Sequence, residues 1–599
     1  MIRGLDEAAK KLGLQSSDPS KLARSDGNQQ KDIRDKKSPG KPTSQTHLKQ
    51  VPMMYRAQVR GRCSLQFASK PEDLDQWTQE WIYPADNQQP TYQYSESQFT
   101  ASDSLHHVKI RFPFRLCSNC GQDSILRPVI GKKGIPFIPG SSVKGIFRRA
   151  CTPEQAKTYC GDEHQQSPGV LRFHGAYPIG DWAGTRQVNT RRDGQNITET
   201  RYRMVDVVHP QQDRQVNGTG SATAIALITL YQPTLIFEIS SVVQVDWEEV
   251  TGLLRRALRQ GLGGKTSSGY GLAFIPQDKY PINAYLEGVG VSPLLRNNEP
   301  EFRPNLFKAT LRGHIRRLLS GVCDTREIVQ RQEDDWFGHT SSPGQLALYW
   351  ESQKLEYGSL NGMHTYSTKG ILHLDLKRRI AHDVSEQAKL DAARLKDLDF
   401  LKLVLKFAVV MGGLGKSWRR VWHKTFYRNN PTYKRAIGCH WQADSDEINL
   451  AIANPADLKI FLNELYDSCK NRVGAKSQVC LPWKEAWNPR RVAVYAKVVQ
   501  SSQVIDLFHD GDFKTTPAIG GKNPGETRPT SVSSVWHRML PLKDGQYLEI
   551  VTVFHGDRTP WTRNSDEHHS DDQLPTFIKA LKKEGLDLEW GTEPMSNKK

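Results

Sequence analysis

Two stretches of this 599-residue chain follow the same order of motifs. Each begins with a strand pattern and a proline-containing loop. A helix with the spacing Lys-Gly-x-x-Arg or Lys-Ala-x-x-Arg follows, and a later helix ends in a glycine-rich loop that carries a lysine. Those loops are Gly261–Gly271 and Met411–Trp422. Such a repeat indicates one supersecondary unit used twice, so the chain is restricted to tandem copies of a small α+β unit.

The first copy alternates strand and helix periodicities in the order strand, helix, strand, hairpin, strand, helix, strand. This order predicts a ferredoxin-like, or RRM-like, fold with an inserted hairpin. The hairpin is expected at Arg186–Val205 because Asp193-Gly194 is a strong two-residue turn signal. The other expected elements are the strands 106–116, 169–177, 234–245 and 270–275 and the helices 141–159, capped by Ser141 or Ser142, and 247–260.

The second copy and the remainder extend this plan. We expect strands at 282–291, 345–350 and 370–376, helices within 301–319 and at 385–410, then helices 455–470 and 573–583 and strands 491–500, 534–540 and 547–554. The last group could complete the second unit or form a third ferredoxin-like lobe. The predicted domains are a flexible basic arm at 1–50, a first domain at 51–276, a second at 277–430, and at 431–599 a C-terminal ferredoxin-like lobe completing the second unit.

The charge balance points to a polyanionic partner. Lys and Arg number 82 and Asp and Glu 65, so the net charge is 82 − 65 = +17, and nucleic acid is the commonest partner of such a protein. No apolar run approaches the ~20 residues that span a bilayer, and the N-terminus lacks the apolar segment of a secretory signal. Nine cysteines are too few for a disulfide scaffold. We therefore expect a cytoplasmic protein with reduced thiols and no membrane partner.

The two glycine-rich loops are candidate phosphate contacts. Backbone N–H groups in such a loop can approach phosphates closely, and the adjacent lysine adds charge. The first glycine of a Walker loop is missing at the required spacing, so nucleotide hydrolysis is not predicted. A tight turn that happens to carry lysine is the alternative. The candidate residues are Gly263, Gly264, Lys265 and Thr266 in the first loop and Gly412, Gly413, Lys416 and Arg419 in the second.

Cations on two helices and on the hairpin complete the predicted RNA-binding set. A helix N-terminus combined with lysine and arginine favours a phosphate backbone. A solvated basic helix face, or a ribbon whose charges protect a sheet edge, would look similar in sequence. The candidates are Ser141, Ser142, Lys144, Arg148 and Arg149 in the first copy, Arg303, Lys308, Arg312 and Arg316 in the second, and Arg186, Arg191 and Arg192 on the hairpin.

The motif IPFIPGSSVKGIFRR at 135–149, followed by GLGGKTSSGYG at 261–271, resembles the RAMP superfamily, the backbone proteins of type III CRISPR effector complexes. GVLRFHGAYP at 169–178 and DVVHPQ at 206–211 extend the resemblance, with an altered order of His and Pro in the latter. The first unit is most similar to the sixth subunit of the Cmr module. The second resembles the first Cmr subunit through EFRPNLFKATLRGHIRR, DDWFG and GGLGKSWRR. A tandem backbone subunit of a variant III-D complex is equally compatible.

The resemblance implies a subunit that holds CRISPR RNA and pairs it with target RNA alongside other type III Cas subunits. It also implies that the hairpin at 186–205 is the thumb that displaces a base of the guide–target duplex. Related subunits cut target RNA with an Asp upstream of the IPGSS motif, and Asp123 is the only Asp in that loop. Cleavage there could use a divalent cation.

Cysteine and histidine spacing suggests a structural zinc site. Cys117-x-x-Cys120 and Cys160-x-x-x-His164 flank the first helix, and two such pairs could bind zinc tetrahedrally. Cys151 is a substitute ligand, and some RAMP proteins carry such a site. Buried thiols without a metal are the alternative, since the two pairs are far apart in sequence.

Three functions compete at this stage. The first is an architectural RNA-binding subunit, the second is the same scaffold acting as a target-RNA endoribonuclease through Asp123, and the third is a free-standing RRM-like protein. The third predicts RNP-type Gly-Phe motifs on the central strands, and none surrounds the aromatic residues of 106–116. The duplicated motif plan therefore favours the first two.

Overall fold

The computed structural model describes most of the chain beyond Tyr94. The described residues are 94–99, 105–122, 125–129, 135–162, 165–192, 194–208, 225–266, 269–275, 280–295, 298–339, 342–377, 379, 381, 383–427, 436–443, 450–474, 479–513, 516–520, 533–566 and 569–594. The basic arm predicted at 1–50 lies outside them. Within them, no helix has the length and apolar character needed to cross a membrane.

The first unit is built on a four-stranded antiparallel sheet. Its elements are β1 Leu105–Arg111, β2 Ile138–Pro139, α1 Gly140–Ala150, α2 Pro153–Cys160, β3 Leu171–Ile179, β4 Arg186–Arg192, β5 Gln195–Arg201, β6 Thr234–Ser241 and α3 Trp247–Arg259. The sheet order is β1–β6–β3–β2, which is the split arrangement expected of a ferredoxin-like unit. The predicted fourth strand at 270–275 is wrong. That segment lies beside β1 through the bond from Phe274 N–H to the Arg111 carbonyl but has no strand ladder.

The predicted helix 141–159 is two helices. Pro153 lacks an N–H and cannot continue α1. Thr152 instead caps α2, since its Oγ1 accepts the Gln155 N–H at 3.3 Å. The expected N-cap was also wrong, because Ser141 and Ser142 lie inside α1 and the cap position is Pro139.

The hairpin predicted around Asp193-Gly194 is confirmed as β4–β5, with seven antiparallel residue pairs. Gly194 has φ +83° and nothing within 4 Å of its Cβ position, so its role is the turn itself. The hairpin occupies the connection between β3 and β6, the second and third strands of the unit. An insertion at this point leaves the four-stranded sheet intact.

The second unit repeats the first. Its elements are β7 Ile282–Val291, α4 Asn305–Ser320, α5 Arg326–Phe337, β8 Leu346–Leu360, β9 Met363–Leu376, α6 Val384–Val410 and β10 Cys439–Ala443. The sheet order β8–β9–β7–β10 is again ferredoxin-like, so the fold class predicted from the duplication is confirmed. Its last strand, β10, lies beyond residue 430, where we expected the second domain to end.

The strands β8 and β9 are far longer than the predicted segments 345–350 and 370–376. They continue outward as a second hairpin that turns at Asn361 and Gly362, with φ +50° and +75°. Asn-Gly is the strongest short hairpin signal, so this extension was readable from the sequence. Both units therefore carry a projecting hairpin between their second and third sheet strands.

A third sheet follows, with the same topology. Its elements are α7 Pro455–Val473, β11 Val492–Val499, β12 Val535–Pro541, β13 Tyr547–Phe554, α8 Leu574–Lys583 and β14 Asp587–Gly591, in the sheet order β12–β13–β11–β14. The strand predicted at 547–554 is confirmed at both ends. The remaining described helices are short: His423–Phe426 and the 3-10 turns Glu96–Gln98, Leu507–His509, Pro517–Ile519, Lys543–Gly545 and Thr559–Trp561. The remaining strand pairs are 115–116 with 230–231, 119–122 with 125–128, 161–162 with 167–168, 205–208 with 225–228, 338–339 with 342–343 and 562–566 with 569–572.

The second and third sheets share one hydrophobic core. Val492 and Val494 of β11 face that core, together with Phe407, Trp487 and Trp536. Alternate residues of β11, Ala493 and Tyr495, face a separate core beneath α8, as the two-residue period of a strand dictates. The first unit has its own core around α1 and α3. The C-terminal lobe is thus packed on the second unit through apolar side chains.

The first and second units meet through buried charge. Arg115 is fully buried and donates from Nε and Nη2 to the two carboxylate oxygens of Glu301, at 2.8 and 2.7 Å. Its Nη1 donates to Thr229 Oγ1 at 2.8 Å. Nearby, Glu299 forms ion pairs with Arg186 and with Arg201, the latter at 3.5 Å. The base of the first hairpin is therefore held by the second unit.

We expect Glu301→Gln to destabilise the protein by about 3–5 kcal/mol, because it removes the carboxylate charge that pairs with the buried Arg115. The control is Glu96→Gln, which removes an exposed pair with Lys109 whose side chains are 52% and 61% exposed; such a pair is worth less than about 1 kcal/mol. Chemical denaturation of the full chain measures both. Equal losses in the two variants would contradict a structural role for Glu301.

Candidate nucleic-acid interface

Helix α1 presents most of its predicted RNA contacts to solvent. Val143, Ile146 and Phe147 are buried against the sheet. The opposite face exposes Ser141, Ser142, Lys144 and Arg149. Arg148 differs, because its Nη1 donates to the Gly161 carbonyl at 2.8 Å and ties α1 to the end of α2. Arg148 therefore has a structural contact, while the other four residues form an accessible polar surface.

The glycines of the first loop are required by packing. A Cβ on Gly263, which has φ +79°, would lie 2.3 Å from the Cys117 carbonyl oxygen. The Gly264 N–H donates to that same oxygen at 2.7 Å, so it does not point at a ligand. Thr266 packs against Gly261. Lys265, at φ +58°, is exposed.

The second loop has a similar backbone. Gly415 and, two residues later, Ser417 have positive φ values of +91° and +61°. The first loop has the same pattern, with positive φ at Gly263 and, two residues later, at Lys265. The lysines are therefore offset by one position, since Lys416 lies between the two positive-φ residues. Lys416 and Ser417 are exposed.

Beneath this loop lies a neutral, buried histidine. A Cβ on Gly413 would lie 1.8 Å from His314 Nε2, and the Gly413 N–H donates to the Ala408 carbonyl at 2.7 Å. His314 has no exposed surface, and burial holds its pKa well below the ordinary value. Gly413 thus allows the loop to cross α4 closely, and its N–H does not point at a ligand.

Arg419 is bound to a carboxylate. It donates to Glu485 at 2.7 Å, and Arg317 donates to the other oxygen of the same group at 2.7 Å. Burial raises the pKa of Glu485, but Arg317 and Arg419 together lower it to about 2. The rings of Trp418, Trp483 and Trp536 surround Arg317 at 5.2–5.8 Å. Glu485 is 168 residues from Arg317, so no local pattern indicated this pairing.

Three of the four cations predicted on and just before α4 lie against acidic residues of the second unit. Arg312 and Arg316 both donate to the buried carboxylate of Glu333 on α5. Arg303 lies 3.9 Å from Glu301 at the unit interface. Lys308 is only 7% exposed. Carboxylates of the second unit thus lie against Arg303, Arg312 and Arg316, and the contact of these four residues with RNA stays a prediction.

The hairpin residues are divided between the unit interface and the tip. Arg186 pairs with Glu299 at the hairpin base. The backbones of Arg191 and Arg192 end β4 at the tip. In the second hairpin, Tyr357 Oη accepts the Phe302 N–H at 2.8 Å, so that hairpin also contacts the interface loop. The roles of both hairpins toward RNA stay predictions.

The described residues do not assemble the predicted zinc site. Among them, no three His, Cys, Asp or Glu side chains form a metal-binding group. Cys160 is hydrogen-bonded to Cys151, which lowers the pKa of Cys160, whereas Cys117 packs with Tyr270 in a different cluster. His164, the catalytic candidate Asp123 and the side chain of Cys120 lie outside the described residues. Zinc binding and cleavage therefore stay predictions.

The depressed pKa of Glu485 predicts a pH-dependent contribution to stability. Because the pKa of Glu485 in the folded protein, about 2, is below the ordinary 4.5, its ion pairs stabilise the protein fully above pH 4.5. This stabilisation is lost as the pH falls toward 2. We expect Glu485→Gln to cost about 3 kcal/mol at pH 7 and the difference from the unaltered protein to shrink below pH 4. Denaturation between pH 7 and pH 3 measures this.

The matched control is Glu356→Gln, which removes a carboxylate from a pair with Lys354 in which both side chains are 61% exposed. It should leave the pH dependence unchanged. A Glu485→Gln curve parallel to that of the unaltered protein over the whole range would show that the paired carboxylate does not titrate as stated.

Comparison with known protein families matches one segment of the chain. Residues 123–274 match the family model of the RAMP superfamily. No curated protein matches the chain. The chain is similar to the crystal structure of Cmr1 from Pyrococcus furiosus in its apo form, at 14% identity, TM-score 0.32, and coverage of 52% of this chain and 98% of that one.

Two further structures are similar. Cmr6 from Pyrococcus furiosus matches at 19% identity and TM-score 0.17, covering 28% of this chain and 98% of its own. A type III-B Cmr-beta complex bound to cognate target RNA matches at 9% identity and TM-score 0.26, with 46% and 95% coverage. The segment 123–274 that matches the RAMP superfamily model contains α1, the first hairpin and the first glycine-rich loop.

Proposed function

We propose that this chain is a CRISPR RNA-binding backbone subunit of a type III interference complex, where it holds guide RNA and the guide–target duplex beside other Cas subunits. The RAMP match supports this proposal, as does the similarity to a type III-B complex whose structure contains cognate target RNA. We expect the complex to act in the cytoplasm. The observation that carries the proposal is an exposed lysine on each of the two repeated loops, Lys265 and Lys416.

The distribution of ion pairs supports this choice of surface. Carboxylates already bind Arg312, Arg316 and Arg419. By contrast, no carboxylate of the described residues pairs with Lys265 or Lys416. Exposed cations of this kind bind phosphates and release counterions, whatever the base sequence. The loops therefore suit the backbone of a strand whose bases remain free to pair.

Replacing Lys265 and Lys416 with Ala should weaken binding of single-stranded RNA similarly for two oligonucleotides of unrelated sequence. Each lost phosphate contact should reduce the slope of log K against log salt by about 0.7, so the double variant should lose about 1.4. Fluorescence anisotropy over a salt series measures the slope.

The charge-matched control is the double variant Lys402→Ala and Lys470→Ala. These lysines are on α6 and α7, where each pairs with an Asp one turn away. The control should keep the slope of the unaltered protein. A loss of the same size in both double variants would show that net charge, and not the two loops, determines binding.

The first hairpin gives a separate prediction. Deleting its tip, Arg191–Gln195, should leave guide binding intact but alter target pairing near one nucleotide, because opening a base stack costs a few kcal/mol that the hairpin must offset. Chemical probing of base reactivity in the assembled complex measures this. The double variant Arg191→Ala and Arg192→Ala keeps the hairpin at full length and removes two of its charges. Comparing it with the deletion distinguishes the effect of charge from the effect of hairpin length. The same reactive base with and without the tip would rule out a thumb here.

A further inference from the structure

Trp483 presents an indole ring that the fold leaves partly open to solvent. It lies in the segment that leads from α7 to β11, and the residue is only partly buried. Two tryptophans of the same region, Trp487 and Trp536, have no more than 1% of their surface exposed. A single accessible apolar residue is common on protein surfaces, so the significance of Trp483 depends on the groups around it.

The ring of Trp483 has surface that no other side chain occupies. Among the described residues, its one recorded ring contact is Arg317, whose guanidinium carbon is 5.8 Å from the ring centroid. Trp418, by comparison, is contacted by the guanidinium groups of both Arg317 and Arg419, at 5.2 and 4.5 Å, and by the ring of Trp536 at 4.8 Å. A further planar group can therefore pack on Trp483 more readily than on Trp418.

The indole N–H of Trp483 is available as a hydrogen-bond donor. Trp487 and Trp536 bury this group without a partner. The N–H of Trp483 is not among the buried unpaired groups and has no recorded hydrogen bond within the described part of the chain, so it reaches solvent. A ligand at this position can both stack on the ring and accept a hydrogen bond from it.

The cation beside the ring is fixed in place. Arg317 donates from Nε to Glu485 at 2.7 Å, and Arg419 donates to the other oxygen of that carboxylate at 2.7 Å. Glu485 is 3% exposed and the side chain of Arg317 11%. A guanidinium held in this way supports an aromatic ring in a defined position, so the site is formed before any ligand arrives.

The same ion pairs join Trp483 to the second glycine-rich loop. Arg419 is three residues after the exposed Lys416, and Glu485, which it binds, is two residues after Trp483. Because two arginines share one carboxylate, the cluster keeps a net positive charge, and Lys416 adds another. Aromatic rings beside cations are the combination that binds single-stranded nucleic acid, since bases stack on the ring while cations contact the phosphates.

We propose that Trp483 is a nucleobase-stacking site, where one unpaired base of the bound RNA packs on the open indole surface while Lys416 contacts the phosphate backbone. The inference rests on the proposed function for its ligand and adds a base contact to the phosphate contact of the second loop. An unpaired base fits because it offers a planar face to the ring and acceptor atoms to the indole N–H. The C-terminal lobe, which supplies Trp483, thereby takes part in RNA binding.

The experiment measures binding of a labelled single-stranded RNA to the full chain by fluorescence anisotropy over a salt series. Trp483→Ala should weaken binding at least about fivefold, the effect of losing one stacked base. The slope of log K against log salt should stay the same, because no phosphate contact is removed. Lys416→Ala should instead reduce that slope. Trp483→Phe should retain most of the affinity, since phenylalanine also stacks.

The matched control is Tyr285→Ala, which removes a 44% exposed aromatic ring from β7. It should bind RNA like the unaltered protein, and a loss equal to that of Trp483→Ala would overturn a specific site at Trp483. Trp483→Leu keeps an apolar side chain against Arg317 but has no ring. It carries the same expectation as the alanine variant if that variant does not fold.

A second ligand separates stacking from an indirect effect on the phosphate contacts. An oligomer of abasic ribonucleotides has the phosphates of the RNA but no bases, so the unaltered protein and Trp483→Ala should bind it equally. If Trp483→Ala weakens the abasic oligomer as much as the RNA, the residue acts without a base and the proposal is wrong.

Failure of the stacking site is distinguishable from failure of the proposed function. Unchanged RNA affinity in Trp483→Ala, with a salt slope that still depends on Lys265 and Lys416, would overturn the base contact alone and leave a protein partner as the occupant of the ring. Absence of RNA binding by the unaltered chain would overturn both proposals.

Discussion

The arrangement of the first two units depends on the buried pair between Arg115 and Glu301. Both side chains are almost completely removed from solvent, where an unpaired charge would be very costly. The bidentate geometry fixes distance and orientation together, because a planar guanidinium accepts only a narrow range of carboxylate positions. Glu299 lies two residues earlier and holds the base of the first hairpin. One short loop of the second unit thus sets both the docking of the units and the direction of the hairpin.

The same principle decides which cations remain available to a ligand. A net charge of +17 suggests a uniformly basic surface, yet several arginines are committed to buried acids, among them Arg316 with Glu333 and Arg317 with Glu485. Lysines on loops and on α1 remain exposed. Arginine suits fixed bidentate pairs, whereas lysine acts as a mobile point charge. The division between structural arginine and accessible lysine follows from that chemistry.

Local patterns predicted the elements well and the contacts poorly. The periodicity of β7 and β13 gave both ends of each strand, and Asp193-Gly194 gave the first hairpin, because these signals are local. The Asn361-Gly362 turn is an equally clear sequence signal, but the strands predicted on either side of it were too short to reach it. Lys308 was predicted as an RNA contact, but its side chain is buried, with Nζ 5.7 Å from the ring of Phe337 at the end of α5. Ion pairs across more than a hundred residues, such as Arg317–Glu485, leave no local trace.

The covalent connection between the two units favours their docking, because both lie on one polypeptide. Docking of separate subunits would depend on their concentrations in the cell, whereas tethered partners meet at an effective concentration of the order of millimolar for a short linker. The interface around Arg115 can therefore be small and polar and still remain closed. The connection also fixes the ratio of the two units at one to one, so neither can be incorporated into an assembly without the other.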